Sequence, residues 1–206
     1  MTSRSRAIAT NGNRDSVVFS DGNIYLQAVD GVHSLTSDGE KRWYVSMHGG
    51  PQNTNQRTAH PVIADGLVYA PTASITEDIE RPNAKEGLYA IDDSTEEVAW
   101  KYISPVDYHG WTYPPAYVDG VVYLSVMEYG IVALDGKTGD IVWQTELKVD
   151  GPPTIADGRV YASTEINDDK AGDIVALDAT TGNELWRANG RGTGFTTAKT
   201  LEISSP

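Results

Sequence analysis

The residues able to do chemistry are few and gathered in irregular stretches. Three of the four histidines, His48, His60 and His109, fall there with Arg57, Tyr108 and Trp111, the one tryptophan outside a repeated motif. Such a set could line a pocket in which Trp111 stacks on a planar ligand while the histidines and Arg57 supply polar contacts, a speculative binding face. The competing reading, and the commoner fate of such aromatics, is that Trp111, Tyr108 and Tyr113 fill gaps between packed elements. His48 and His60 have no helix between them to bring them onto one side, so their spacing gives a metal no support. The acidic stretch Asn167-Asp168-Asp169 lacks the alternating carboxylates and distal Glu of a calcium loop and reads as solvated. There is no cysteine, hence no disulfide, thiolate ligand or cysteine nucleophile. No Gly-rich phosphate loop or Gly-x-Ser-x-Gly elbow occurs either. We therefore expect no catalytic, cofactor-binding or metal residue.

What would position a binding face is a repeat. Ala176-Leu177-Asp178-Ala179-Thr180-Thr181-Gly182-Asn183-Glu184-Leu185-Trp186 returns upstream as Ala133 to Trp143 with the same Ala, Asp, Thr, Gly and Trp. It returns again as Ala90 to Trp100, with Glu96 in place of the Gly, and as a shortened copy from Ser34 to Trp43. Each copy follows a strand, an Asp-Gly turn and another strand, at Asp21-Gly22, Asp65-Gly66, Asp119-Gly120 and Asp157-Gly158. Asp-Gly between β-branched and aromatic residues specifies a two-residue hairpin. The Trp motif reads as a second hairpin turning through Thr-Gly, so each unit is a four-stranded antiparallel sheet. Trp43, Trp100, Trp143 and Trp186 recur 57, 43 and 43 residues apart, and a four-stranded unit of roughly 40 to 45 residues is the period of a propeller blade.

The expected fold is an all-β β-propeller of four-stranded antiparallel blades, about four of them, at about 15–46, 60–103, 113–147 and 151–189. Residues 1–14 read as an N-terminal extension and 191–206 as a tail or the start of a further strand. The two kinds of short turn share one face. Length variation collects on the other, in Val45 to Ala59, Thr72 to Lys85, Ile103 to Thr112 and Glu165 to Gly172, and long loops on a rigid scaffold are where binding usually resides.

The repeat Ala-x-Asp-x-x-Thr-Gly-x-x-x-Trp resembles that of the quinoprotein, or PQQ-like, β-propeller family. The WD40 and kelch signatures are missing. The family includes quinone-dependent alcohol and glucose dehydrogenases and non-catalytic members such as BamB, and its rings generally hold seven or eight blades. The resemblance implies that the Trp of one blade packs on the Gly-containing turn of its neighbour, with Trp43, Trp100, Trp143, Trp186, Gly139 and Gly182 as the docking residues. A glycine turn admits a flat ring that a Cβ would exclude, so Glu96 predicts a looser contact at its junction. For a dehydrogenase the resemblance implies PQQ with calcium as cofactor. That is the alternative reading, because the paired cysteines many such enzymes set against the quinone are absent and the calcium-binding Glu and Asn match no position here. The reading preferred from the sequence is a non-catalytic binding or scaffolding module for a protein or small ligand, with no cofactor.

The chain carries 29 acidic against 16 basic residues, a formal net charge of -13, which repels nucleic acid and anionic membranes. The excess is spread along the chain, as on a salt-adapted, halophilic surface where dense salt screens self-repulsion. No apolar run reaches membrane-spanning length, and Met1 to Asn13 lacks the apolar core of a secretory signal. As written the chain is expected in the cytoplasm; the resemblance implies an extracytoplasmic protein if the start lies upstream. Four blades in an arc leave two apolar blade faces open, so the expected partner is a protein or a second copy of the chain.

Overall fold

The computed structural model describes residues 16–28, 31–47, 59–72, 87–105, 113–126, 129–164 and 172–188. These form sixteen strands and, among them, no helix. Blade one holds β1 (Ser16–Ser20), β2 (Asn23–Ala28), β3 (Gly31–Thr36) and β4 (Lys41–Ser46). Blade two holds β5 (Val62–Ala64), β6 (Leu67–Thr72), β7 (Gly87–Asp92) and β8 (Glu97–Ile103). Blade three holds β9 (Ala116–Val118), β10 (Val121–Val126), β11 (Gly130–Asp135) and β12 (Ile141–Gln144). Blade four holds β13 (Thr154–Ala156), β14 (Arg159–Ser163), β15 (Ile174–Asp178) and β16 (Glu184–Ala188). Each blade is a separate four-stranded antiparallel meander in chain order, the blade pattern of a partial β-propeller.

Both short turns form as their residues dictate. The first hairpins take positive φ at both turn residues, 48° and 78° at Asp21-Gly22 and 49° and 84° at Asp119-Gly120, the geometry that matches strand twist. In the second hairpin the Asp of the repeat holds the turn with its own side chain. Asp135 Oδ1 accepts from the amides of Lys137 and Thr138, and Asp178 Oδ1 from those of Thr180 and Thr181. These bonds favour the ionised form, and the carboxyls of Asp92, Asp135 and Asp178 all sit below their ordinary value.

Every blade also carries a β-bulge at one place, between the third and fourth strands, just before the repeat Trp. The extra residue is Arg42, Ala99, Val142 or Leu185, and the bulge sets the Trp opposite a small residue: Ser34, Ala90, Ala133 or Ala176. Opposite that small residue on its other side stands the Tyr of the second strand, Tyr25, Tyr69, Tyr123 or Tyr161. Tyr and Trp thus flank a gap that only a small side chain leaves open, their ring centroids 5.9 to 6.1 Å apart in all four blades.

The core lies between blades. One apolar cluster joins blades one and two through Tyr25, Trp43, Val68 and Ile91, a second joins two and three, and a third joins three and four. A face of side chains at period two, packed on the next sheet, is the reason the blades stack.

Candidate functional site

The structure's clearest constructions are the joints between blades. In each formed joint one blade presents its Tyr and Trp, and the next presents the second residue of its Asp-anchored turn. Trp100 Nε1 donates to the Gly136 carbonyl at 2.9 Å and Tyr69 Oη donates to the same oxygen at 3.1 Å. One joint on, Trp143 Nε1 and Tyr123 Oη donate to the Ala179 carbonyl at 2.9 and 3.2 Å. A carbonyl oxygen has two lone pairs, so two donors saturate it. The same turn residue passes its own amide back to its own blade: Gly136 N donates to Gly120 O and Ala179 N to Gly158 O. One residue thereby ties the two turns of its blade together through its amide and anchors the blade before it through its carbonyl.

Gly139 and Gly182 each stand close against the indole of the preceding blade. A Cβ at Gly139 would lie 2.6 Å from the Trp100 ring, and one at Gly182 2.6 Å from the Trp143 ring. Both take positive φ, 77° and 74°. Trp43, Trp100 and Trp143 are buried in these joints, whereas Trp186 is 44% exposed, with no turn upon it among the described residues.

The joint between blades one and two differs from what Glu96 led us to expect. Its contact is not loose: Trp43, at 3% exposed, is the most buried of the four repeat tryptophans. Glu96 adopts the left-handed conformation itself, φ 63°, and its amide closes the turn on Asp92 O at 2.9 Å as the glycines do elsewhere. The acceptor has moved from main chain to side chain. Trp43 Nε1 donates to Asp93 Oδ1 at 2.9 Å, where the other joints use a carbonyl. Arg42, the bulge residue, grips the same carboxylate with two parallel bonds of 2.9 and 2.8 Å and donates to Ser34 Oγ at 2.7 Å. Burial pushes the Asp93 carboxyl up, but the bonds from Arg42 and Trp43 and the Arg42 charge outweigh it and hold it below its ordinary value. The guanidinium is raised in turn, first through its bond to Asp93.

Of the speculative binding face, His60 is placed just before β5 and is exposed. His48, Arg57, Tyr108, His109 and Trp111 lie outside the described residues, as does the Asn167-Asp168-Asp169 loop. Among the described residues no group of three or more His, Asp or Glu is arranged to hold a metal, and no helix is long and apolar enough to cross a membrane.

Three features were missed in the sequence. The Arg42–Asp93 clamp needs the blades stacked before a pair 51 residues apart can be seen. The Tyr of each Asp-Gly-x-x-Tyr hairpin was visible as part of the repeat, yet its partnership with Trp was not drawn. Gly31, Gly87 and Gly130 each stand three residues before the small residue of the motif, and a Cβ at any of them would meet a carbonyl of the fourth strand, or of Thr145 just after it, at 2.1 Å or less. That spacing was a legible signal.

A family model described as outer membrane protein assembly factor BamB matches residues 84–205. The dehydrogenase subunit of a quinone alcohol dehydrogenase from Komagataeibacter europaeus is 29% identical over 168 residues, covering 70% of this chain and 21% of the relative. BamB from Xanthomonas campestris pv. campestris is 34% identical over 86 residues, covering 36% of this chain and 20% of the relative. The chain thus spans about a fifth of the length of these relatives. Among solved structures, BamB from Moraxella catarrhalis superposes with a TM-score of 0.62 at 19% identity, over 85% of this chain and 52% of that one.

Proposed function

The chain belongs to the PQQ-like β-propeller family whose model is described as outer membrane protein assembly factor BamB, and from that premise we propose that it is a non-catalytic binding or scaffolding module. It engages a protein or small ligand through the face that carries its long loops. The observation that supports this is the engagement of the repeat's polar groups. Asp92, Asp135 and Asp178 hold turns, Asp93 holds Arg42 and Trp43, and the turn carbonyls hold Tyr and Trp. These groups build the scaffold, and what varies from blade to blade is loop length on the opposite face.

The second reading is a fragment of a quinone-dependent dehydrogenase, favoured by the 70% of this chain that matches the Komagataeibacter subunit. PQQ with calcium would then supply the redox chemistry. The described residues do not fit that pair: the repeat carboxylates are taken up by turn amides or by Arg42, and no cluster offers a calcium seat.

Titration of the purified chain with PQQ and calcium separates the readings. No stoichiometric absorbance change and no dye-coupled alcohol oxidation is the expected result, and either signal would overturn the module reading. A photo-crosslinker at His60, beside the loop face, should capture a discrete partner, while one at Asp21, on the turn face, should not.

A further inference from the structure

The first strands of neighbouring blades come together, β5 with β9 and β9 with β13, so the fourth strands form the outer rim. Each fourth strand is an edge of its sheet. An edge offers unpaired main-chain groups to any passing strand, and proteins guard such edges with charge. Three of the four rim strands are guarded that way. β4 carries Lys41 and Arg42, β8 carries Glu97 and Lys101, and β16 carries Glu184 and Arg187, which bond to each other at 2.7 Å. β12 reads Ile141-Val142-Trp143-Gln144 and has no charged residue. Its Trp143 turns into the joint with blade four, while Ile141 and Val142, side by side on the rim, are each 51% exposed. Val98 on β8 is exposed as well, but it sits between Glu97 and Lys101.

The main chain of β12 is aimed outward too. Asp140 O accepts from Asp135 N at 2.8 Å and Thr145 N donates to Ile131 O at 2.9 Å, both bonds running to β11. In a trans peptide the C=O and the N-H point opposite ways. The Ile141 N-H, which shares a peptide with Asp140 O, and the Gln144 carbonyl, which shares one with Thr145 N, therefore point away from β11, on the side where blade three has no further strand. The charges next to this edge are of one sign: Asp140 before β12 and Glu146 after it are exposed carboxylates, with Lys137 and Lys148 farther out. We propose that β12 docks an extended segment of another protein, which adds a strand to blade three through the Ile141 N-H and the Gln144 carbonyl. Its apolar side chains lie on Ile141 and Val142, and Lys or Arg at its two ends face Asp140 and Glu146. A second copy of this chain is the poorer occupant. Two β12 strands paired antiparallel, Ile141 opposite Gln144, bring Asp140 of one toward Glu146 of the other at both ends, between molecules that each carry a net charge of -13. Blades stack through their sheet faces, so the rim of blade three stays accessible whatever lies beside the end blades. The edge is also separate from the loop face, and the inference does not rest on the reading of that face.

The probe is a synthetic peptide, Lys-Val-Thr-Val-Thr-Val-Lys, beside a counterpart with Glu at both ends. The basic peptide should slow amide hydrogen exchange at Ile141, followed by NMR, and at low salt should bind about tenfold or more tighter than the acidic one, the gap shrinking in molar potassium chloride. Ile141→Pro deletes the outward N-H at an edge position where proline is tolerated. Val142→Lys gives β12 the kind of charge the other rim strands carry. Each should weaken the basic peptide by about tenfold or more with circular dichroism still that of the folded chain. Val98→Lys, the same change on the rim of blade two, should leave binding as it was. The proposal is overturned if the basic peptide fails to bind at millimolar concentration, if protection falls equally on all four rim strands, or if binding ignores both β12 substitutions. A dimer of the unmodified chain that Val142→Lys abolishes would overturn it as well, since the occupant would then be a second copy.

Discussion

Blade one is joined to blade two by charge, whereas blade two is joined to three, and three to four, by main chain. All three joints hold a buried indole whose N-H lies 2.9 Å from its acceptor. In the later joints the acceptor is a turn carbonyl and the ring rests on a glycine. In the first, the glycine has become Glu96, the acceptor is the Asp93 carboxylate, and the bulge residue Arg42 is drawn in to balance it. The repeat thus specifies a contact and not a residue list. A backbone acceptor cannot mutate away, but it demands glycine beneath the ring. A side-chain acceptor tolerates Glu96 and makes the joint depend on a charge pair.

The largest effect tests whether the indole dominates both kinds of joint. Trp143→Ala empties a buried site and should cost about 3 to 5 kcal/mol, as large aromatic truncations do. Trp186→Ala, in the same motif but half-exposed, should cost less than about 1 kcal/mol. Urea melts of the two decide it; equal losses would mean that the motif and not the joint sets the stability.

At the repeat glycine the two kinds of joint should respond with opposite signs. Gly139→Ala drives a Cβ to 2.6 Å from the Trp100 ring at a positive φ, and should destabilise by about 1 to 3 kcal/mol. Glu96→Gly removes a side chain from a left-handed position, and should stabilise by about 1 kcal/mol. Asp93→Ala strips two acceptors from Arg42 and one from Trp43, and should cost about 2 kcal/mol for a partly buried, charge-assisted set. If Glu96→Gly destabilises in thermal melts, Glu96 is itself part of the clamp and the comparison must be redrawn.

The fold was legible because its signals are local and repeated: Asp-Gly fixes one hairpin, Asp-x-x-Thr-Gly the other, and Trp at blade period fixes the stacking. The charge clamp was not, because Arg42 and Asp93 meet only across a joint and nothing in Lys41-Arg42-Trp43 distinguishes a bulge residue from a solvated one. Glu96 shows the same limit from the other side. Its bulk led to the expectation of a loose contact, and the contact is tight because the compensation sits in a neighbouring blade. The long-loop residues carry no repeat and no spacing rule, so the sequence could name His48, Arg57, His60, Tyr108, His109 and Trp111 without saying which of them meet.

The smallest effect separates the joints by pH. The Asp93 carboxyl lies below its ordinary value in the folded chain: burial raises it, and the bonds from Arg42 and Trp43 with the Arg42 charge lower it further than burial lifts it. A group depressed on folding contributes stability that is fully present above its unfolded value, about 3.9 for Asp. That contribution is lost as pH falls through the folded value. Asp93→Asn keeps an oxygen for Trp43 but loses the charge that holds Arg42, so the variant should be less stable than the parent at neutral pH. The gap should narrow steadily below about pH 5 and close once the parent's Asp93 is protonated. Added salt should narrow it at neutral pH as well, since the pair is only partly buried. Asp135→Asn makes the control. Asp135 is also depressed, first by the amides of Thr138 and Lys137, but its partners are main-chain groups of its own turn, so its gap should close with acid yet change little with salt. Urea melts of the three proteins from pH 3 to 7, at low and molar potassium chloride, read all of this directly. A gap for Asp93→Asn that ignores both pH and salt would mean that the first joint rests on shape, as the other two do.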